Sequence, residues 1–270
     1  MAPVAHLRPV AFKCSTRDHA TSVAYGDQAA KMTNDATPKP RRFFKTAEIG
    51  AAGADGYPIL LDGRPARTPG ARPLLAPTAV LAKLIAAEWS AQGDTLDWRR
   101  LPATRLAGVV IDGGLEARAR AMDVVAGYGA SDLICYFAPS PRSLAQRQTQ
   151  LWGPLLDWSR DAHGLEFVRV TGVMPQPQPA ETLSRLTKIL TKTDDFTLAG
   201  LGLAASVLGS AVLALALSQG RLNAAGAIEA GRLDETFQEE QWGRDGESTR
   251  RAEGLAGEIQ MLEAWFTALR

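Results

Sequence analysis

The sequence predicts an α+β fold: a small β-rich N-terminal domain followed by a larger, mostly helical domain. Three observations carry this. Residues 41–75 read as short extended segments broken by Gly, Pro and an Asp-Gly turn. From Thr78 onward, apolar residues recur at three- and four-residue steps. In the last segment, Leu255, Ile259, Leu262, Phe266 and Leu269 follow one another at steps of four, three, four and three, one unbroken stripe on a helix over Gly246–Leu269. The 270 residues, 46% of them hydrophobic, suffice for a sizeable core and exclude wholesale disorder.

Taken in order, residues 1–40 hold no sustained period and are expected to be a disordered tail or an upstream extension. Arg8, Lys13 and Arg17 precede the first acid, Asp18, which faintly resembles a mitochondrial transit peptide; Met32 offers an alternative start. The expected location is cytoplasmic for a bacterial protein, or the mitochondrial matrix if residues 1–31 are such a peptide. Strands are expected over Phe43–Ala51 and Tyr57–Leu61, then a type I′ turn at Asp62-Gly63 leading into Arg64–Thr68. Pro65, Pro69 and Pro73 keep the later strands short or at an edge. Thr78 can cap a helix with Leu81, Leu84, Ile85 and Trp89 on one stripe, closed by Gly93. That places the β-rich domain at 41–93 and the helical domain at 94–270. The latter holds candidate helices over Thr104–Asp112 and Leu115–Tyr128, split by Gly113-Gly114, then Ser143–His163 with a kink at Pro154. An extended piece, Leu165–Val170, and a Pro-rich linker precede a helix over Glu181–Thr193.

Composition excludes several function classes. Thirty basic residues against twenty-nine acidic ones leave a formal charge of +1, without the basic excess of a nucleic-acid binder. Two cysteines and three histidines argue against a disulfide scaffold, a zinc enzyme or a His-based hydrolase. Neither a dinucleotide fingerprint nor a P-loop occurs, so no cofactor or metal is expected. Cys135, in the apolar run Leu133–Phe137, reads as a packed thiol, and His163 beside Gly164 as a helix C-terminal residue.

Two segments need a decision. Phe196–Leu217 carries no charge and is long enough to span a bilayer. Its glycines, serines and alanines point instead to a buried helix or tight helix pair, with Gly202, Ser206 and Ser210 as a groove for a neighbouring helix. The second is an acidic helix over Asn223–Trp242. Between Glu229 and Glu247 stand seven acids and two bases, mostly a solvated face. Glu240 differs, because at 100° per residue it falls within about 60° of Leu233 and Phe237 on the apolar stripe. A carboxylate there needs a partner or a function. One reading is an internal ion pair with Arg250 or Arg251; another is an enzyme using Glu240 with Glu235 or Asp245 as paired carboxylates. Gly243 is expected to end this helix and Asp245 to cap the next.

The segments Arg42-Phe-Phe-Lys45, Leu61-Asp-Gly-Arg-Pro-Ala-Arg-Thr-Pro69, Glu88-Trp-Ser-Ala-Gln-Gly93, Thr104-Arg-Leu106 and Ser131-Asp-Leu-Ile-Cys-Tyr136 occur in series. They continue with Arg147-Gln148, Trp152-Gly-Pro-Leu-Leu-Asp-Trp158, Leu213-Ala-Leu-Ala-Leu217 and Asp234-Glu-Thr-Phe-Gln-Glu-Glu-Gln-Trp-Gly243. In that order, over residues 41–270, they resemble the assembly chaperones of the F(1) part of ATP synthase that bind its α subunit. Gly108 stands where that family more often has Asn, and Phe137 where it often has Arg. The resemblance implies a soluble, cytoplasmic-type monomer without catalysis, cofactor or stable membrane insertion. It would bind unassembled α subunit, shield its interface and hand it to the β subunit. It further implies that Glu240 and Asp245 meet the partner and that Trp89 matters for integrity; Trp242 and Gly243 are likewise expected to serve structure.

Overall fold

The computed structural model describes residues 40–172, 174–243 and 246–270. The expected tail and its alternative start at Met32 therefore lie outside the described residues, as does Asp245. The fold is α+β: a small sheet near the N-terminus, then helices.

The sheet is built on β2 (Tyr57–Leu61). Along one edge it pairs antiparallel with β1 (Ala47–Ile49), Ala47 facing Leu61. The other strands are two-residue pieces at its ends: β3 (Arg64–Pro65) opposite Leu60 and Leu61, and β4 (Leu75–Ala76) opposite Tyr57 and Pro58. Asp62 and Gly63 both take positive φ (48° and 76°), the two left-handed residues a type I′ turn requires. The Asp62 carboxylate also accepts the backbone N–H groups of Lys45 and Thr46 at 2.9 and 2.8 Å, which ties β1 to the turn. The first strand starts later than Phe43. Arg42 donates to the carbonyls of Phe44, Lys45 and Gln92, and this bends the chain so that Phe44 turns into the core.

Helix α1 (Ala79–Ser90) starts where Thr78 Oγ1 accepts Leu81 N–H at 3.1 Å. It stops before Gly93: Ala91 is its right-handed C-cap, and no left-handed residue is needed there. A 3-10 turn (Trp98–Arg100) leads into α2 (Pro102–Ala130). As expected, α2 is broken near its middle, at Gly114 (φ 48°, ψ −130°). A second 3-10 turn (Leu133–Cys135) and β5 (Tyr136–Phe137) precede α3 (Arg142–His163), which runs through Pro154 and ends at left-handed Gly164. The extended piece after it narrows to β6 (Val170–Thr171), parallel to β5, a pairing of distant segments that no local pattern announces. Cys135 is buried, and burial raises its thiol pKa, as a packed thiol requires.

Helix α4 (Ala180–Lys192) is followed by the uncharged region, which forms a tight pair: α5 (Asp195–Leu208) and α6 (Ala211–Ser218). Gly209 turns the chain with φ 68°. Ser210, fully buried between the two helices, also caps α6, its hydroxyl accepting Leu213 N–H at 3.0 Å. Gly202 does make a close crossing, since a Cβ there would lie 3.3 Å from Ala121 Cα of α2. Among the described residues, no helix is long and apolar enough to cross a membrane. The acidic stretch is two helices rather than one. Arg232 (φ −116°, ψ 20°) separates α7 (Ala224–Gly231) from α8 (Leu233–Trp242). Helix α9 (Gly246–Leu269) closes the molecule with Ile259, Leu262 and Phe266 fully buried, as the stripe predicts. Buried apolar side chains from Phe44 to Ala268 form one continuous cluster.

Candidate interaction site

The end of α7 and helix α8 dock on α3 through three polar contacts and one ring. Trp152 of α3, fully buried, donates its indole N–H to Ala230 O at 2.9 Å, just before the Arg232 break. Gln148 bridges two elements: its amide donates to Asp234 Oδ1 at 2.8 Å, and its carbonyl accepts Ala138 N–H at 2.7 Å. Burial raises the Asp234 pKa, with the Gln148 bond working against it. Arg147 lies over the Phe237 ring, 5.2 Å from its centroid.

Arg147 is also the partner of Glu240, at 2.7 Å. The expected pairing with Arg250 or Arg251 is thus corrected: a residue ninety-three positions away on α3 takes the carboxylate. Both side chains are 45% exposed, so this pair sits at the rim and not inside. Leu233 and Phe237 fill the buried side of α8, and Glu240 stands at the edge of their stripe. The enclosed acid of this region is Glu239, 12% exposed, bound by Arg232 at 2.8 Å and by the Ser248 hydroxyl at 2.6 Å. Its position one residue from Glu240 moves it 100° round the helix toward α9 and the Arg232 break.

Gly243 ends α8 with φ 87°, its N–H bonded to Glu239 O at 2.9 Å. Trp242 next to it, expected to serve structure, is instead 81% exposed and packs no core. Glu240, Trp242 and Gly243 therefore share one exposed helix end. Trp89 is elsewhere: 3% exposed, it packs edge-on against Phe44 and Trp98 with centroids 5.6 and 6.0 Å away. A Glu235–Glu240 carboxylate pair is not formed, since Glu235 points about 140° away from Glu240 on the same helix; the alternative partner, Asp245, lies outside the described residues. No cluster of His, Cys, Asp or Glu suited to a metal occurs among the described residues.

Two acids that the residue-level reading passed over hold the frame. Glu88, beside Trp89, accepts Ala103 N–H (2.7 Å), Thr104 N–H (2.8 Å) and the Thr104 hydroxyl (2.7 Å), capping α2 whose N-cap Leu101 has no side chain to do so. Asp132, fully buried, accepts Val212 N–H at 3.0 Å and Ile134 N–H at 3.3 Å, at the start of α6. Burial outweighs those donors and pushes its pKa up to about 6. Both stand inside the quoted family segments, and the signal available was a lone acid before an uncapped helix or an apolar run.

The fold matches the crystal structure of Atp12 from Paracoccus denitrificans with a TM-score of 0.80, at 34% identity, covering 86% of this chain and 99% of that one. The chain belongs to the ATP12 chaperone family. A protein of Agrobacterium tumefaciens described as a chaperone matches at 32% identity with a TM-score of 0.82, covering 93% of this chain and 97% of the other. The family model for the ATP12 chaperone protein matches residues 41–160. The mitochondrial atp12 protein of Schizosaccharomyces pombe is 25% identical over 218 residues, 76% of this chain and 75% of that protein. Members carry the name of chaperones, and this ATP12-family chain is not an enzyme.

Proposed function

We propose that this chaperone serves assembly of the F(1) part of ATP synthase by binding unassembled α subunit and releasing it to the β subunit. Family membership supports the assembly role. The choice of α subunit rests on the sequence resemblance, and the surface is the exposed end of α8 with Glu240 and Trp242. The observation that carries the surface is the pairing of an exposed Trp with a rim acid on a helix otherwise anchored to α3. Exposed aromatic residues beside charged groups are frequent binding anchors. Asp245, outside the described residues, is proposed as a second partner-binding acid on the sequence resemblance alone. An unassembled subunit exposes apolar interface that aggregates, and a binder with a polar rim can shield it and still be displaced. The reading asks only that the protein share a compartment with newly made α subunit, and that it act as a monomer.

Glu240→Gln tests this. An ion pair this exposed contributes about 0.2–1 kcal/mol, so the variant is expected to remain folded with a nearly unchanged melting temperature. Co-expressed α subunit, soluble with the native chain, should then be found in the insoluble fraction. A folded Glu240→Gln chain that keeps α subunit soluble would remove Glu240 from the surface.

A further inference from the structure

A groove of about 660 Å³ opens between the β3–β4 connection and the first half of α2. Its walls come from Arg67 to Leu74, Trp89 and Trp98, and α2 from Thr104 to Arg120. It is a built feature: Asp112 of α2 accepts the Thr68 hydroxyl at 2.6 Å and Gly70 N–H at 2.8 Å, fixing the connection over the helix. Gly70 is required there, because a Cβ would lie 2.6 Å from Asp112 Oδ1.

Two hydrogen-bond donors on side chains lining this groove are buried and without an acceptor among the described residues: Trp89 Nε1 and Arg105 Nε. Such donors are costly unless something accepts from them. Arg67 and Arg72 add charge. Each donates to a neutral carbonyl, Ala71 O and Ile111 O respectively, both at 2.6 Å, and neither has a carboxylate in ion-pair range among the described residues. The acids of the groove are engaged, Asp112 with the connection and Glu116 with Arg120 at 3.6 Å. Leu74, Val109 and Leu115, the last 84% exposed, supply apolar wall.

We propose that this groove binds an extended peptide segment of a client protein, apolar in character and carrying an acidic side chain. The carboxylate goes to Arg67 and Arg72, while peptide oxygens accept from Arg105 Nε, whose charge already faces Glu88 and Glu258, and from Trp89 Nε1. The guanidinium groups of Arg67 and Arg72, without a carboxylate in ion-pair range among the described residues, select an anion, and an open groove with apolar walls suits a chain segment. The inference rests on the chaperone reading only in taking a polypeptide as the ligand.

Gly108 provides a variant that blocks the groove without touching a donor. A Cβ there meets only Pro69 Cδ, at 3.8 Å, and Gly108 lines the groove, so Gly108→Leu extends a side chain from the helix into it. The probe is a fluorescent, terminally blocked decapeptide of Leu, Ala and Gly with two Glu, compared with its Gln counterpart and with ATP, on the full chain. The Glu peptide should bind and shift the Trp89 indole N–H resonance, with the Gln peptide about ten-fold or more weaker. Gly108→Leu and Arg105→Gln should each weaken binding by a similar factor, the former with an unchanged melting temperature. Equal binding of the Gln peptide, binding of ATP in preference to peptide, no peptide binding, or peptide binding only after removal of residues 1–39 would each overturn the proposal. Loss of the groove with Glu240→Gln still failing to protect α subunit leaves the assembly reading intact; the converse leaves the groove intact.

Discussion

Trp89 shows how one side chain joins the sheet to the helices. It lies on the stripe with Leu81 and Ile85, and its ring meets Phe44 from the sheet side and Trp98 from the loop before α2. Truncating a buried Trp costs about 3–5 kcal/mol, and an arginine there also strands a charge. Trp89→Arg is therefore expected to lower the yield of folded protein and the melting temperature sharply; a native-like melting temperature would take Trp89 out of the core. Asp132 makes the second case, through pH. Burial pushes its folded-state pKa up to about 6, above the ordinary carboxylate value of 3.8, so the neutral acid is the form the fold favours. Its stabilising contribution is complete below the unfolded pKa and declines as pH rises through about 6. Compared with Asp132→Asn in urea unfolding between about pH 4 and 7, the native chain should lose on the order of 3 kcal/mol of relative stability. A pH-independent difference would show that the carboxyl is not burdened by burial.

Among the elements, α2 depends on a cap borrowed from another helix. Leu101 cannot satisfy the first N–H groups of α2, and Glu88 of α1 does so with both oxygens. Glu88→Ala leaves buried donors unpaired and is expected to cost about 1–3 kcal/mol, with Glu88→Gln in between because one acceptor survives. Equal stability of all three forms would mean that water replaces the carboxylate. The crossing of α5 on α2 sets another limit. Gly202 lets the backbones approach at Ala121, so Gly202→Leu must push the helices apart, at about 1–3 kcal/mol. Denaturant midpoints of the two chains measure it, and an unchanged midpoint would show that the crossing adapts.

At the scale of the whole molecule, α9 ties the ends together. Thr78, at the cap of α1, donates its hydroxyl to Ala268 O at 2.6 Å; Trp265 donates to Phe196 O at 3.1 Å; Glu263 accepts Ala224 N–H at 3.0 Å. The β-rich region thus packs on the same buried cluster as the helices. We propose that residues 41–93 form a unit in sequence but depend on residues 94–270 to fold. Thermal unfolding followed by tryptophan fluorescence and by helical circular dichroism should then coincide in one transition. Two separated transitions would show independently stable domains.

The sequence by itself determined what depends on neighbours a few residues away. The Asp62-Gly63 turn, the Thr78 cap, the Gly114 break, the Gly243 stop and the α9 stripe all follow from backbone preference and periodicity, and they stand where those predict. The quoted segments also carried the family. Tertiary structure alone decided what depends on distant partners. The β5–β6 pairing joins segments more than thirty residues apart, Arg147 rather than an α9 arginine meets Glu240, and Glu88 caps a helix that begins fourteen residues later. The groove arises only when the β3–β4 connection closes over α2. A carboxylate or guanidinium is compatible with many partners, and local sequence carries no term for which of them packing will bring within 3 Å.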